Sequence, residues 1–238
     1  MDLKKEVLHA EERIRPHIRQ TVLEYSPALS ELGHANVYCK LENLQYTGAF
    51  KARGAMNKLL SLTNDERARG VVTASTGNHG MAVARSLGIL GASGIVFVPE
   101  KASPSKVKAI ERLGAEVRFF GQDCADTEAH AREHAAQNHM TFVSPYNDPK
   151  VIGGQGTIAV ELARQLDPID AVFASLGGGG LVSGIAGYLK SVHPNVHVMG
   201  CSPENSQVMI QSVKTGRILD LPSLPTLSDG TAGGIEAG

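Results

Sequence analysis

The sequence predicts an α/β protein of two domains, each with a mainly parallel sheet flanked by helices. Two observations carry that expectation. From residue 71 onward, short apolar and β-branched runs alternate with stretches of helical periodicity, the pattern of right-handed crossover units around a parallel sheet. The composition agrees: 42% hydrophobic residues, 26 glycines, 5% aromatics and no tryptophan in 238 residues describe a glycine-rich soluble chain rather than a fibrous or disordered one.

Taken in order, residues 2–14 form an amphipathic helix that Pro16 ends, and residues 21–23 a short extended piece. Residues 35–41 (A-N-V-Y-C-K-L) read as a strand, followed by the polar loop Glu42-Asn43-Leu44-Gln45-Tyr46 and a helix from Lys51 to about Leu60. The stretch 63–70 (T-N-D-E-R-A-R-G) reads as a polar linker. After it come strand 71–74, helix 80–87, strand 94–98, helix 105–113, strand 116–120, helix 126–138 and strand 141–143. The turn-rich Pro145-Tyr146-Asn147-Asp148-Pro149 separates these from helix 154–165, strand 171–176, helix 181–191 and strand 196–201. Residues 63–147 are therefore expected to be a small domain inserted into a larger one made of 1–62 and 148–238.

Charge and cysteine usage narrow the function classes. A formal net charge of -1 offers no basic surface for nucleic acid, and no run of 18 apolar residues suggests a membrane span. The N-terminus is charged and lacks the apolar core of a signal peptide, so a cytoplasmic location is expected. Cys39, Cys124 and Cys201 are odd in number and scattered, which supports neither a disulfide framework nor a zinc site.

Three stretches carry chemistry. In Thr47-Gly48-Ala49-Phe50-Lys51-Ala52-Arg53-Gly54-Ala55, Lys51 opens a helix, where a cation works against the dipole; if also desolvated, its amine is biased toward the neutral, nucleophilic form. A solvated surface lysine is the plain alternative. Ser75-Thr76-Gly77-Asn78-His79-Gly80 joins a strand to a helix start, where free amides and hydroxyls suit an anion such as an amino-acid carboxylate, or merely cap the helix. Gly177-Gly178-Gly179-Gly180 also lies between strand and helix and can bring backbone N–H groups close to a phosphate, or serve only as a tight turn. It fits neither nucleotide pattern: Ile185 stands where a Walker lysine is needed, and Val182 where the dinucleotide fingerprint needs glycine, although Glu204 could mimic that fingerprint's acidic ribose ligand.

Two further patterns argue against metal chemistry. His130-Ala131-Arg132-Glu133-His134 matches a zinc-protease motif, but no third ligand is apparent and the surrounding helix is charged like a solvated face. After Glu204 no second acid follows within the next six residues, and no metal is expected.

As a set, T-G-A-F-K-A-R-G-A, S-T-G-N-H-G and G-G-G-G-L resemble, in order and spacing, the pyridoxal-phosphate enzymes of the tryptophan-synthase β-subunit fold (fold type II), and among them the serine/threonine dehydratases and serine racemases. The similarity runs from about Thr21 to Gly238. It departs where relatives have Thr-Pro-Leu and this chain has Thr21-Val22-Leu23.

The resemblance implies a pyridoxal 5'-phosphate cofactor carried covalently by Lys51, with Phe50 against its ring, Asn78 bonded to its ring oxygen and Gly177, Gly178, Gly179 and Gly180 on its phosphate. Ser75, Thr76, Gly77 and Asn78 would then hold the substrate carboxylate, and His79 would be structural. Leu227-Ser228-Asp229-Gly230 resembles a segment bordering the substrate pocket, where Asp229 positions a hydroxyl or simply starts a turn. The reaction implied is dehydration and deamination of L-threonine or L-serine, with Lys51 and Thr76 as catalytic residues. Racemisation, which needs an acid on the opposite ring face where Thr76 stands, is the near alternative; a non-catalytic cofactor-binding chain is another. Relatives continue beyond the point corresponding to Gly238, so self-association across an open sheet edge, or weak cofactor binding, is expected of a chain of this length.

Overall fold

Apolar residues three and four apart put Val7, Ala10 and Ile14 on one buried face of α1 (Leu3–Ile14), whose first turn Asp2 caps by accepting the Lys5 amide. The computed structural model describes residues 2–236. A two-stranded antiparallel ribbon pairs β1 (Leu23–Tyr25) with β2 (Tyr38–Lys40), the connection carrying α2 (Pro27–Gly33). Next come α3 (Lys51–Leu60) and α4 (Asn64–Arg69).

A four-stranded parallel sheet follows, built from β3 (Val71–Ala74), β4 (Gly94–Val98), β5 (Glu116–Phe119) and β6 (Thr141–Phe142) in the spatial order β5-β4-β3-β6. Its crossovers are α5 (Asn78–Leu90), α6 (Pro104–Glu111) and α7 (Cys124–Gln137). Val71, Val96 and Val98 face α5 and α6 through Val83, Leu87, Val107 and Ile110, whereas Val72, Ile95 and Phe97 face Ala131 and Ala135 of α7. Alternate residues of each strand thus serve opposite faces, as the two-residue period of a strand requires.

Beyond this sheet, α8 (Pro149–Gln165) leads to β7 (Ala171–Ser175), α9 (Gly180–Val192), β8 (His197–Cys201) and α10 (Val208–Thr215), with β7 and β8 paired in parallel. Ile158, Ala159 and Leu162 of α8 pack with Ile185 and Leu189 of α9 against Ala174 and Val196. α8 also lies against α3 at very short range: a Cβ on Gly154 would stand 2.6 Å from the Gly54 Cα. That approach is open only to glycine, and it sets α3, with Lys51 at its first position, directly on α8.

Beside the glycine contact runs a buried ionic network. Arg53, fully buried, donates to Glu42 at 2.8 and 2.7 Å and to Glu161 at 2.8 and 3.0 Å. Glu161 also receives Lys40 at 2.6 Å and Arg15 at 2.8 Å. Burial alone would raise the Glu161 carboxyl, but Arg53, Lys40 and Arg15 outweigh it and hold the group near 2. The network ties α1's end, β2, α3 and α8 together, and breaking it by removing one partner would strand a buried charge.

Several boundaries depart from the sequence reading. Residues 63–70 are not a linker but α4, because Thr63 and Glu66 form a reciprocal capping box. α8 begins at Pro149 rather than Gly154: Asp148 accepts the Lys150 and Val151 amides and Pro149 occupies the first helical position, so the stretch read as a separator is partly a helix start. α2 and α10 were not foreseen; α2 is short, with an N-capping Ser26 just before Pro27. The strand expected over 35–41 is confined to Tyr38–Lys40. Among the described residues, no helix is long and apolar enough to cross a membrane. Gly238 lies outside the described residues.

Candidate active site

Lys51 is the first residue of α3, half-buried, and its Nζ donates to the Pro145 carbonyl at 2.6 Å. Among the described residues no carboxylate pairs with it. Burial lowers its pKa from 10.5 to about 8, since removing the ammonium from water disfavours the charged form. The adjacent Phe50 ring has its centroid 5.3 Å from Nζ and packs toward the α8–α9 core.

The second stretch leaves β3 and enters α5. Ser75 Oγ accepts the Gly77 amide at 3.2 Å, folding the turn, and Gly77 is the residue before the helix. Among the described residues the Thr76 amide has no acceptor, and the first-turn amides of α5 lack intrahelical partners by construction. Ser75, Thr76 and Gly77 are half-buried and Asn78 is exposed. His79, 3% exposed, donates from Nε2 to the Val143 carbonyl at 3.0 Å. Burial first, and then the Lys51 charge, lower its pKa to about 3, so the ring is neutral near neutrality and Nδ1 is an acceptor without a partner among the described residues.

Gly177, Gly178, Gly179 and Gly180 connect β7 to α9, with Gly179 at φ +87°, a conformation side chains rarely adopt. A Cβ at Gly178 would be driven into the Tyr146 ring, one at Gly180 would lie 2.7 Å from the Tyr146 carbonyl oxygen, and one at Gly177 3.1 Å from the Thr231 carbonyl oxygen. Among the described residues no acceptor meets the amides of Gly177, Gly178 and Gly179. Three unpaired donors at the positive end of a helix form an anion cradle.

Segment 143–146 joins the three stretches. Val143 receives His79, Pro145 receives Lys51, and Tyr146 lies on Gly178. Asp229 is not drawn in as far: it is exposed, 3.9 Å from the Lys106 amine, although its neighbour Thr231 rests against Gly177. Pro145, Tyr146 and Thr231 were missed as wall residues; a Tyr next to Pro in a turn that follows a strand was the available signal. His130, meanwhile, is stacked on Phe120 at 3.6 Å between centroids, and among the described residues no cluster of His, Cys, Asp and Glu could hold a metal.

Comparison with known proteins gives the same family throughout. A family described as pyridoxal-phosphate dependent enzyme matches residues 14–238. L-threonine ammonia-lyase of Thermotoga maritima is 40% identical over 228 residues, 96% of this chain and 57% of its own, so the chain spans little more than half of that relative. The catabolic L-threonine dehydratase of Escherichia coli K12 is 41% identical over 225 residues, 94% of this chain and 68% of the relative. Among solved structures, the processed form of threonine deaminase isoform 2 from Solanum lycopersicum superposes with a TM-score of 0.93 at 33% identity, covering 98% of this chain and 69% of the other. Maize serine racemase also gives a TM-score of 0.93, at 30% identity, covering 98% and 71%.

Proposed function

The chain belongs to the pyridoxal-phosphate-dependent enzyme family, with the α/β architecture of its fold type II members, and from that premise we propose that it dehydrates and deaminates L-threonine or L-serine to a 2-oxo acid and ammonia. The observation that carries this reading is the Lys51 amine, half-buried and unpaired by any acid among the described residues, on the same wall as the glycine cradle. Those residues fit pyridoxal 5'-phosphate. Gly177, Gly178 and Gly179 have amides to offer its phosphate, Lys51 has an amine whose lowered pKa suits attachment to a carbonyl, and Phe50 has a ring beside that amine. When bound, the cofactor supplies the electron sink that makes an α-proton removable.

In this proposal the chain's own groups orient and move protons. The turn of Ser75, Thr76, Gly77 and Asn78 takes the substrate carboxylate on its free amides, which holds the α-carbon toward Lys51. Asn78, exposed at the first position of α5, would be the residue to hold the cofactor's ring oxygen. Lys51 Nζ accepts the α-proton: with a pKa near 8 a useful fraction is neutral at physiological pH, whereas an unperturbed lysine would be almost wholly charged. The Pro145 carbonyl gives the ammonium form a resting place. Asp229 would orient the substrate hydroxyl only by turning in from its exposed position beside Lys106. The same reading divides the chain into 1–62 with 148–238 and 63–147; the four-stranded sheet lying wholly within the latter supports it. It also takes the protein as a cytoplasmic homo-oligomer, the two-stranded β7–β8 sheet with Phe173 69% exposed being the face available for pairing.

Racemisation is kept as a second reading because the Thr76 hydroxyl has no hydrogen-bond partner among the described residues and is free to donate a proton. One experiment tests both. Purified protein loaded with cofactor is assayed for 2-oxo acid and for D-isomer from L-threonine and L-serine, before and after Thr76→Ala. The lyase reading expects 2-oxo acid formation that largely survives the substitution, with any D-isomer lost. Absence of 2-oxo acid from the loaded wild-type protein, with D-isomer as the sole product, would replace it with the racemase reading.

A further inference from the structure

Glu236 stands beside the candidate site in a role the proposed reaction does not use. One of its carboxylate oxygens accepts from Arg132 Nη2 and the other from the Ser144 hydroxyl at 3.2 Å. The Arg132 guanidinium lies 4.1 Å over the Phe142 ring and is also bonded to Glu128 at 2.8 Å. Ser144 is 4% exposed, and its oxygen accepts the Asn147 amide at 3.0 Å. The next residue along, Pro145, supplies the carbonyl that holds the Lys51 amine; the one after, Tyr146, carries Gly178 on its ring.

A guanidinium set over an aromatic ring and backed by a buried hydroxyl donor is a receptor for a carboxylate. Here an internal carboxylate fills it. Arg132 already faces two acids, Glu128 and Glu236, so the cluster carries net negative charge and an entering carboxylate would meet repulsion. Resting on the reading of the site as a hydroxy-amino-acid lyase, we propose that Glu236 is a specificity-determining residue: by occupying Arg132 and Ser144 it excludes β-hydroxy amino acids bearing a second carboxylate and leaves the short neutral ones.

The test is Glu236→Gln, which removes the charge at nearly constant size and keeps an oxygen for Ser144. Turnover is compared for L-threonine and for 3-hydroxy-L-aspartate, in which a carboxylate replaces the threonine methyl. In the same preparations, calorimetry gives the dissociation constant for L-malate, an unreactive hydroxy dicarboxylate. The variant should raise the preference for the acidic substrate, and tighten malate, by about tenfold or more, while kcat/KM for L-threonine stays within roughly threefold of wild type. Adding Arg132→Gln to Glu236→Gln should erase both gains. A folded Glu236→Gln protein with unchanged preference and malate affinity overturns the proposal, as does a gain that survives the loss of Arg132. Should the malate affinity respond as stated while no hydroxy amino acid is turned over, the subsite stands and the reading of the reaction falls.

Discussion

Replacing Lys51 with methionine isolates the property on which its chemistry rests. In the folded protein the amine has a pKa of about 8 because it is buried, against 10.5 for the exposed side chain. Between those values the unfolded chain binds the proton and the folded chain does not, so wild-type stability rises with pH from about 8 to 10.5; below pH 8 both states are protonated and the folded state bears the full cost of burying the charge. The difference between the two pKa values is worth about 2 to 3 kcal/mol once the partial exposure of the side chain is allowed for. Lys51→Met has no such dependence. It also leaves the Pro145 carbonyl without its donor, a loss of about 1 to 2 kcal/mol that does not change with pH. Paired urea unfolding curves of the cofactor-free proteins, taken from pH 7 to 10.5, cancel every titration the two share. The wild-type protein should gain on the variant by about 2 to 3 kcal/mol across that range, with most of the change above pH 8. A difference independent of pH would mean that Lys51 titrates as an ordinary surface lysine, and the argument for its reactivity would fail.

Gly179→Asp places a side chain at φ +87° and a negative charge at the anion cradle, so cofactor affinity, read by absorbance titration, should fall about tenfold or more; unchanged affinity would put the phosphate elsewhere. Glu161→Gln should cost about 3 to 5 kcal/mol at pH 7, because Arg53, Lys40 and Arg15 lose their shared partner. The wild-type carboxyl titrates near 2 folded and 4.5 unfolded, so its contribution is complete above pH 4.5 and is lost as pH falls toward 2; the glutamine variant should lack that portion of the acid sensitivity in denaturation curves.

The parts of the fold readable from sequence were those with strong local periodicity. α3 begins at Lys51 and ends at Leu60 as the pattern implied, and β4 occupies Gly94–Val98 because a continuous apolar run there can only be buried on both faces. α4 was obscured because its six residues have no apolar face; only the Thr63–Glu66 capping box marks it. For the site, the glycine run and the lysine motif were visible, since close backbone approach and a cation at a helix start are local features. What joins them was not. Pro145 meets Lys51 across 94 positions, Tyr146 meets Gly178 from another element, and Arg132 meets Glu236 across 104 positions. Such contacts are set by how the two sheets and α8 are packed, and no window of sequence contains both partners.

The central claim is that the Lys51 amine carries the cofactor, and borohydride tests it directly by reducing the bond between cofactor and protein to one that survives digestion. The protein is loaded with pyridoxal 5'-phosphate, reduced, digested and mapped by mass spectrometry. The account predicts one modified peptide, with the pyridoxyl group on Lys51 and the modification absent from Lys51→Met. A pyridoxyl group on another lysine of the wild-type protein, with Lys51 unmodified, would contradict it.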